Sequence, residues 1–149
     1  MSATATNLER ELVSKPYLLD AEAAKVYGEG IESPPRRAPR VNIHTDDEAA
    51  RKAGFRAPIA GGEQTYAVMA NFILDSFGIG FLRGGRLEAA LVKPVFYGDT
   101  LTMHARIVDA EGSQIHLEVW TENDRGERVL IGTARVPQES PQESPEDVR

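Results

Sequence analysis

The sequence contains no cysteine in its 149 residues. This absence excludes disulfide bonds and thiol nucleophiles, and it removes the softest metal ligands. The sequence also lacks any apolar run long enough to cross a bilayer. Its first residues, MSATATNLERELVSK, lack the apolar core of a secretory signal. These absences predict a cytoplasmic protein with no membrane partner.

Basic residues are fewer than acidic ones: 17 Lys and Arg against 23 Asp and Glu give a net charge of -6. Nucleic-acid binding requires a basic face, so we expect no nucleic-acid partner. The local exception is Arg36, Arg37 and Arg40, which lie in a proline-rich stretch. They are interpreted either as part of a solvated loop or as contacts to the phosphates of a nucleotide-bearing substrate.

Several motifs of other enzyme classes are missing. There is no Gly-x-Ser-x-Gly, which argues against a nucleophile-elbow hydrolase. The glycines between residues 78 and 85 lack the strand–turn–helix context of a phosphate loop. The three histidines are dispersed, and we expect His104 and His116 to be solvent-exposed on the polar faces of strands. We therefore predict neither a metal site nor a cofactor.

The length accommodates one domain with one core. We place this domain at residues 17–137, after a flexible N-terminal segment at 1–16 and before a disordered acidic tail at 138–149. Asp20 is a natural cap for a short helix, and Thr45 or Asp46 can cap a second one that runs through Ala53. The proline-rich residues 30–40 cannot form a regular element.

Residues 63–77, EQTYAVMANFILDSF, give the strongest helical pattern. Apolar residues recur at helical spacing on one side, and Val68 and Phe72 make the opposite side apolar too. A helix that is apolar nearly all round is expected to be buried nearly all round. Glycines precede and follow the segment, which therefore predicts a long central helix.

The hydrophobic period then changes to two, which indicates β-strands. Four segments show it, with turns at Glu111-Gly112 and at Asn123–Gly126: 87–96, 100–109, 114–121 and 128–136. Pro94 is expected at an edge or a bulge, and Asp99 is most simply a turn residue. Tyr66 and Trp120 are expected in the core or in an interface.

One buried helix followed by meandering antiparallel strands predicts an α+β fold. A sheet this small leaves its edge strands open. Pairing with a second copy of the chain would cover these edges. We therefore expect a homodimer or a higher homo-oligomer.

Two stretches resemble the MaoC-like acyl-CoA hydratase/dehydratase family. Residues 42–67 carry Ile43-His44, Asp46, Gly54-Phe55, Pro58-Ile59-Ala60 and Gly62 at the places of that family's first motif. Residues 93–107, KPVFYGDTLTMHARI, are similar to its later strand pair. The resemblance covers residues 17 to 137. It implies a hot-dog fold, in which an antiparallel sheet wraps around a long buried helix.

The resemblance also implies a reaction and a set of site residues. The reaction is the reversible syn addition of water to a 2-enoyl thioester, with coenzyme A as the expected carrier. His44 would be the acid–base residue, and Asn42 could orient it or a water. The Gly62 amide at the start of the helix would polarise the thioester oxygen, which suits the positive end of a helix dipole.

The chain departs from the family pattern at several positions: the family's N-P pair reads Val41-Asn42, the His before its helix glycine is Gly61, and one catalytic residue is replaced. The family's aspartate would fall at Pro39, which can carry out no acid–base chemistry. Glu29, Glu32 and Glu63 are candidates for a replacing carboxylate, and Glu63 in the first helical turn is otherwise explained by the helix dipole.

The missing aspartate leaves alternatives open. One is a hot-dog thioesterase in which Glu63 directs water at the carbonyl. Another is a member that binds without catalysing, and a further one is water chemistry on a substrate other than a thioester.

Overall fold

A computed structural model describes residues 10–22 and 41–138 of the chain. These residues form six strands and three helices. In chain order the elements are β1 Glu11–Val13, β2 Tyr17–Leu18, α1 Asp47–Lys52, α2 Gly62–Phe77, α3 Gly80–Gly84, β3 Arg86–Leu91, β4 Thr100–Glu111, β5 Gln114–Asn123 and β6 Arg128–Pro137. None of the described helices is long and apolar enough to cross a membrane.

All the strands belong to one antiparallel sheet, in the order β1-β4-β5-β6-β3, with β2 also pairing with β4. Two tight turns connect the long strands. Gly112 (φ 60°) and Gly126 (φ 72°) adopt the left-handed conformation that these turns need, which explains glycine at both positions. The predicted turns and the α+β class are thus confirmed.

The inner face of the sheet holds the hydrophobic core. Alternate residues of β4 and β5 point inward, as the period of two predicts; Leu101, Ala105, Leu117 and Val119 are all buried. Helix α2 packs on this face through Thr65, Met69 and Ile73, which share one side of the helix at intervals of four residues. The predicted central helix is therefore present, one residue longer at its start.

The structure corrects the extent of this helix burial. The sheet covers only one side of α2 in a single chain, so the opposite side is not enclosed. Tyr66, for example, is 39% exposed, and its hydroxyl donates a hydrogen bond to Leu87 O at 2.8 Å. Burial nearly all round would require a second surface against this side.

Strand β3 ends earlier than the sequence predicts. It stops at Leu91, not at Phe96, because both Val92 N and Lys93 N donate to the single carbonyl Val129 O, and Pro94 has no N–H to continue the ladder. Beyond it, Phe96 forms only an isolated bridge with Ile59. The released segment 92–95 becomes one wall of a pocket, described below.

The prediction that His104 is solvent-exposed is wrong. Its side chain is only 14% exposed, because the ring stacks on Trp120 with centroids 4.9 Å apart and Nδ1 lies 2.8 Å from Glu11 Oε1. Trp120 is 5% exposed although it lies on the outer face of the sheet. His116 is half-buried on the same face.

The N-terminal part of the sheet begins before residue 17, where the sequence places the start of the domain. Residues 11–13, inside the segment predicted to be flexible, pair with β4. Asp20 accepts a hydrogen bond from Glu22 N at 2.9 Å, as a helix cap would. Two further stretches lie outside the described residues. One is residues 23–40, which include the rest of that predicted helix, Pro39 and the three loop arginines. The other is the tail after Gln138.

Candidate active site

A pocket of about 340 Å³ lies at the start of α2. Three pieces of chain enclose it: the loop around α1, the first turn of α2, and the segment that follows β3. Its walls are mostly apolar. The lining residues are His44, Phe55, Ile59, Ala60, Gly62, Thr65, Leu91, Val92, Lys93, Pro94 and Val95. The pocket therefore suits an apolar group that meets a few polar atoms.

A tight turn centred on Asn42 fixes the backbone of His44. The Asn42 side chain accepts from His44 N at 2.8 Å, and its carbonyl accepts from Thr45 N and Asp46 N at 3.1 and 3.0 Å. Asp46 then caps α1 by accepting from Ala49 N at 2.7 Å, which confirms its predicted role. The sequence NIHTDD is thus a turn that leads directly into a capped helix.

The ring of His44 is held in one tautomer. Nδ1 lies 2.9 Å from Ile59 O, and a carbonyl oxygen can only accept a hydrogen bond. In the neutral imidazole the proton therefore resides on Nδ1, and Nε2 keeps its lone pair. This arrangement leaves Nε2 as the nitrogen that can accept a proton.

At the start of α2, the N-cap residue makes no side-chain hydrogen bond to the first helical N–H groups. Gly61 occupies this N-cap position. The first N–H groups of a helix have no intrahelical acceptor, and the dipole makes this end positive. Gly62 is the first helical residue and lines the pocket. Leu91 packs so closely over Gly62 that an added Cβ would lie 2.5 Å from Leu91 Cδ1.

Glu63 lies beside the pocket and does not line it. Its exposed side chain folds back against Gly61, where an added Cβ would collide with the carboxylate. Burial, and then the negative charge of Glu63, raise the pKa of Tyr97 above its usual range. The structure therefore brings His44 and Gly62 to one pocket, with Asn42 behind His44 and Glu63 at the margin.

The described part of the chain places no acidic side chain in the pocket lining. Its titratable lining residues are His44 and Lys93, and Lys93 Nζ is bound to Glu127 Oε1 at 2.8 Å. Within residues 10–22 and 41–138, no group of three His, Asp or Glu side chains is placed to hold a metal ion. His44 is thus the one side chain of this lining whose functional group, an imidazole, can both accept and donate a proton.

An ion pair that the sequence does not predict holds the chain next to the pocket wall. Asp99 is 4% exposed; its carboxylate accepts from Phe96 N at 3.0 Å and from both terminal nitrogens of Arg125 at 2.9 and 3.2 Å. Asp99 N donates to Phe96 O, so Asp99 is also the predicted turn residue. The only local signal in the sequence is that Asp99 follows Pro94 and Gly98. The ion pair itself is not visible there, because its partner Arg125 lies on a turn that is distant in sequence.

Ionised Asp99 is expected to stabilise the fold. Burial opposes ionisation, but the Arg125 and Phe96 hydrogen bonds, with the charges of Arg125 and Arg56, hold the pKa of Asp99 below its ordinary value. A hydrogen bond to a charged group contributes about 1.5–3 kcal/mol. We expect Asp99→Asn to lower the free energy of unfolding by about this much near pH 7, measured by urea denaturation.

The matched control is Asp124→Asn, which removes a half-exposed carboxylate 3.4 Å from the same Arg125. We expect that control to change stability by less than about 0.5 kcal/mol. A depressed folded-state pKa gives stability above the unfolded-state pKa that is lost as the pH falls through the folded-state value. The difference between Asp99→Asn and the wild type should therefore shrink in acid, and a constant difference would contradict this account.

The comparisons with known proteins agree with this geometry. A sheet wrapped around one long helix is the hot-dog fold, and solved structures of that fold align with nearly the whole chain. Residues 41–127 match the family described as the MaoC like domain, and this match spans more than half of the sequence. The chain therefore belongs to the MaoC-like dehydratase family, which confirms the resemblance seen in its motifs.

Three solved structures illustrate the similarity. The MaoC-like dehydratase from Rhodospirillum rubrum is 22% identical, with a TM-score of 0.66 and coverage of 90% of this chain and 94% of that one. The R-hydratase PhaJ1 from Pseudomonas aeruginosa is 18% identical, with a TM-score of 0.69 and coverage of 93% of this chain and 89% of that one. The (R)-hydratase from A. caviae involved in PHA biosynthesis is 17% identical, with a TM-score of 0.68 and coverage of 92% of this chain and 100% of that one. No curated protein sequence matches the chain.

Proposed function

We propose that this protein catalyses the reversible hydration of a 2-enoyl thioester, with coenzyme A as the carrier. The observation that carries the proposal is that His44 and the uncapped start of α2 line the same, mostly apolar pocket. Membership of the MaoC-like dehydratase family supports the reaction class, and two of the similar structures are hydratases.

The proposed chemistry uses one base and one amide. His44 Nε2 takes a proton from a water whose oxygen forms a bond to C3 of the substrate. The π electrons of the C2–C3 bond move toward the thioester carbonyl, and the Gly62 N–H stabilises the resulting enolate oxygen. The protonated His44 then delivers its proton to C2, so the hydroxyl group and the hydrogen of the added water arrive from one face.

Asn42 and Glu63 have different places in this proposal. Asn42 is a positioning residue, since its side chain accepts a hydrogen bond from the backbone N–H of His44 and does not line the pocket. Glu63 would be the water-directing base if the protein hydrolysed the thioester instead. Its position outside the pocket lining favours hydration over hydrolysis.

We also propose a homodimer. Within the described residues β3 pairs only with β6, so its other edge has no strand partner. Large apolar side chains are exposed on α3, on the residue before it, and at the end of β3: Ile79, Leu82, Leu91 and Val92. A second copy would cover such an edge, and light scattering in solution measures whether the mass is that of one chain.

The test of the proposed function is incubation of the purified protein with crotonyl-CoA, with and without a thiol trap. Hydration removes the absorbance of the enoyl thioester without releasing thiol. Release of thiol that is abolished by Glu63→Gln would assign a thioesterase. Binding of acyl-CoA esters of several chain lengths without turnover of any would instead indicate a member that does not catalyse.

A further inference from the structure

Thr65 is an unusual residue for the wall of this pocket. It lies on the first turn of α2, is 2% exposed, and lines the pocket together with His44. The side chains around it in the lining are mainly apolar. A hydroxyl group in such a place loses its contacts with bulk water and needs another partner.

No described residue provides that partner. The hydrogen bonds of the described side chains include none to the Thr65 hydroxyl, although nearly all buried polar groups in proteins are hydrogen-bonded. A second buried threonine, Thr121 on β5, offers a contrast. Thr121 Oγ1 is both unpartnered and completely shielded, and Thr121 is not part of the pocket lining. Thr65 Oγ1 is not among the completely shielded atoms, and Thr65 lines the pocket. The pocket is therefore the place from which a partner can reach this hydroxyl.

The other polar side chains of the lining, His44 and Lys93, already use part of their hydrogen-bonding capacity within the protein. His44 Nδ1 is bound to Ile59 O, so Nε2 is the ring nitrogen available to a water, to which it would offer a single hydrogen bond. Lys93 is bound to Glu127. A water held at a single point keeps its rotational freedom, whereas a second contact orients its lone pair.

We propose that Thr65 is the second water-binding residue of this pocket. Its hydroxyl oxygen accepts one hydrogen of the water whose other hydrogen is directed at His44 Nε2, which leaves a lone pair of the water oxygen free to attack C3. A threonine hydroxyl has the acceptor capacity for this contact. The inference rests on the proposed hydratase function for its catalytic consequence, but the binding of the water is separately measurable.

The kinetic test compares Thr65→Val, which removes only the hydroxyl at nearly constant shape, with Thr65→Ser, which keeps it. We expect Thr65→Val to lower kcat for hydration about ten-fold with little change in KM, and Thr65→Ser to recover most of the rate. Thr121→Val is the matched control, because it makes the same change at an equally buried site outside the pocket. Equal kcat in Thr65→Val and the wild type would overturn the proposal, and so would equal losses in the serine and valine variants.

A structural test separates this inference from the proposed function. A high-resolution crystal structure of the wild type should show an ordered water within hydrogen-bond distance of both Thr65 Oγ1 and His44 Nε2, and Thr65→Val should lose it. A pocket without this water would overturn the role of Thr65. The same water in a protein that hydrates no enoyl thioester would overturn the proposed function and leave Thr65 as a water-binding residue.

Discussion

Replacement of His44 by glutamine is expected to lower kcat for hydration by about 10²–10⁴-fold, the range of a lost general acid–base group. The backbone N–H of residue 44 remains bound to Asn42 Oδ1 at 2.8 Å in this variant, so the loop should keep its place. Glutamine cannot accept and return a proton at neutral pH. Steady-state kinetics with crotonyl-CoA, or with the enoyl thioester that is turned over fastest, measure the effect.

The control for His44 is His116→Gln, the same change at a half-buried histidine on the outer face of the sheet. Its kcat should equal that of the wild type. Because one imidazole serves both proton transfers in the proposed mechanism, the effect of His44→Gln should appear in kcat in both reaction directions. Near-full turnover by His44→Gln would refute the proposed mechanism.

Replacement of Gly62 by proline is the second change with a large expected effect, about 10²–10³-fold in kcat, as for the loss of one oxyanion donor. Proline removes the N–H of the first helical residue, a position where helices tolerate it. The preceding Gly61 has φ -63° and ψ 141°, an extended conformation that is compatible with a following proline. The helix should therefore form while the amide donor disappears.

Gly62→Ala provides the matched control for the proline variant. Both variants add a Cβ that would lie 2.5 Å from Leu91 Cδ1, so both require the same small movement of that flexible side chain. Only the proline variant loses the N–H. We expect Gly62→Ala to retain much more activity than Gly62→Pro; equal losses would show that space over Gly62, and not the amide, governs the rate.

Much of the fold could be predicted because its long elements carry their own periodicity. The apolar stripe of α2 and the alternation in β4, β5 and β6 are local signals, and the glycine turns between the strands fix their pairing. β1 is too short for such a signal, with three residues that gain stability only by pairing with β4. The sequence places the end of β3 too late, because the apolar residues that follow the strand line the pocket and do not pair in the sheet.

The site was predictable only in part, for a similar reason. His44 and Gly62 could be proposed from the family motif, and the structure brings both to one pocket. The pairing of Asp99 with Arg125 depends on the folded arrangement of two turns that are distant in sequence. The role proposed for Thr65 also depends on the folded pocket, since in the sequence Thr65 is one polar residue of a helical segment that is apolar nearly all round.

The outer face of the sheet shows where sequence rules mislead. Alternation assigns His104 to the polar side, and it does lie there, opposite Trp120, which the sequence places in the core or in an interface. Trp120 is nevertheless buried and His104 is half-buried, because the two rings stack and the guanidinium of Arg128 lies 4.7 Å above the indole ring. Cation–π contacts let a charged side chain cover an aromatic one, so polar position and exposure are separate predictions.

The most direct test of the central claim follows the oxygen of water. The protein is incubated with an enoyl-CoA in water labelled with heavy oxygen, and the products are analysed by mass spectrometry. We expect a 3-hydroxyacyl-CoA that carries the label on its hydroxyl group and keeps its thioester, with the labelling rate greatly reduced in His44→Gln and in Gly62→Pro. Label in the carboxylate of a free acid, or labelling that is independent of His44, would contradict it.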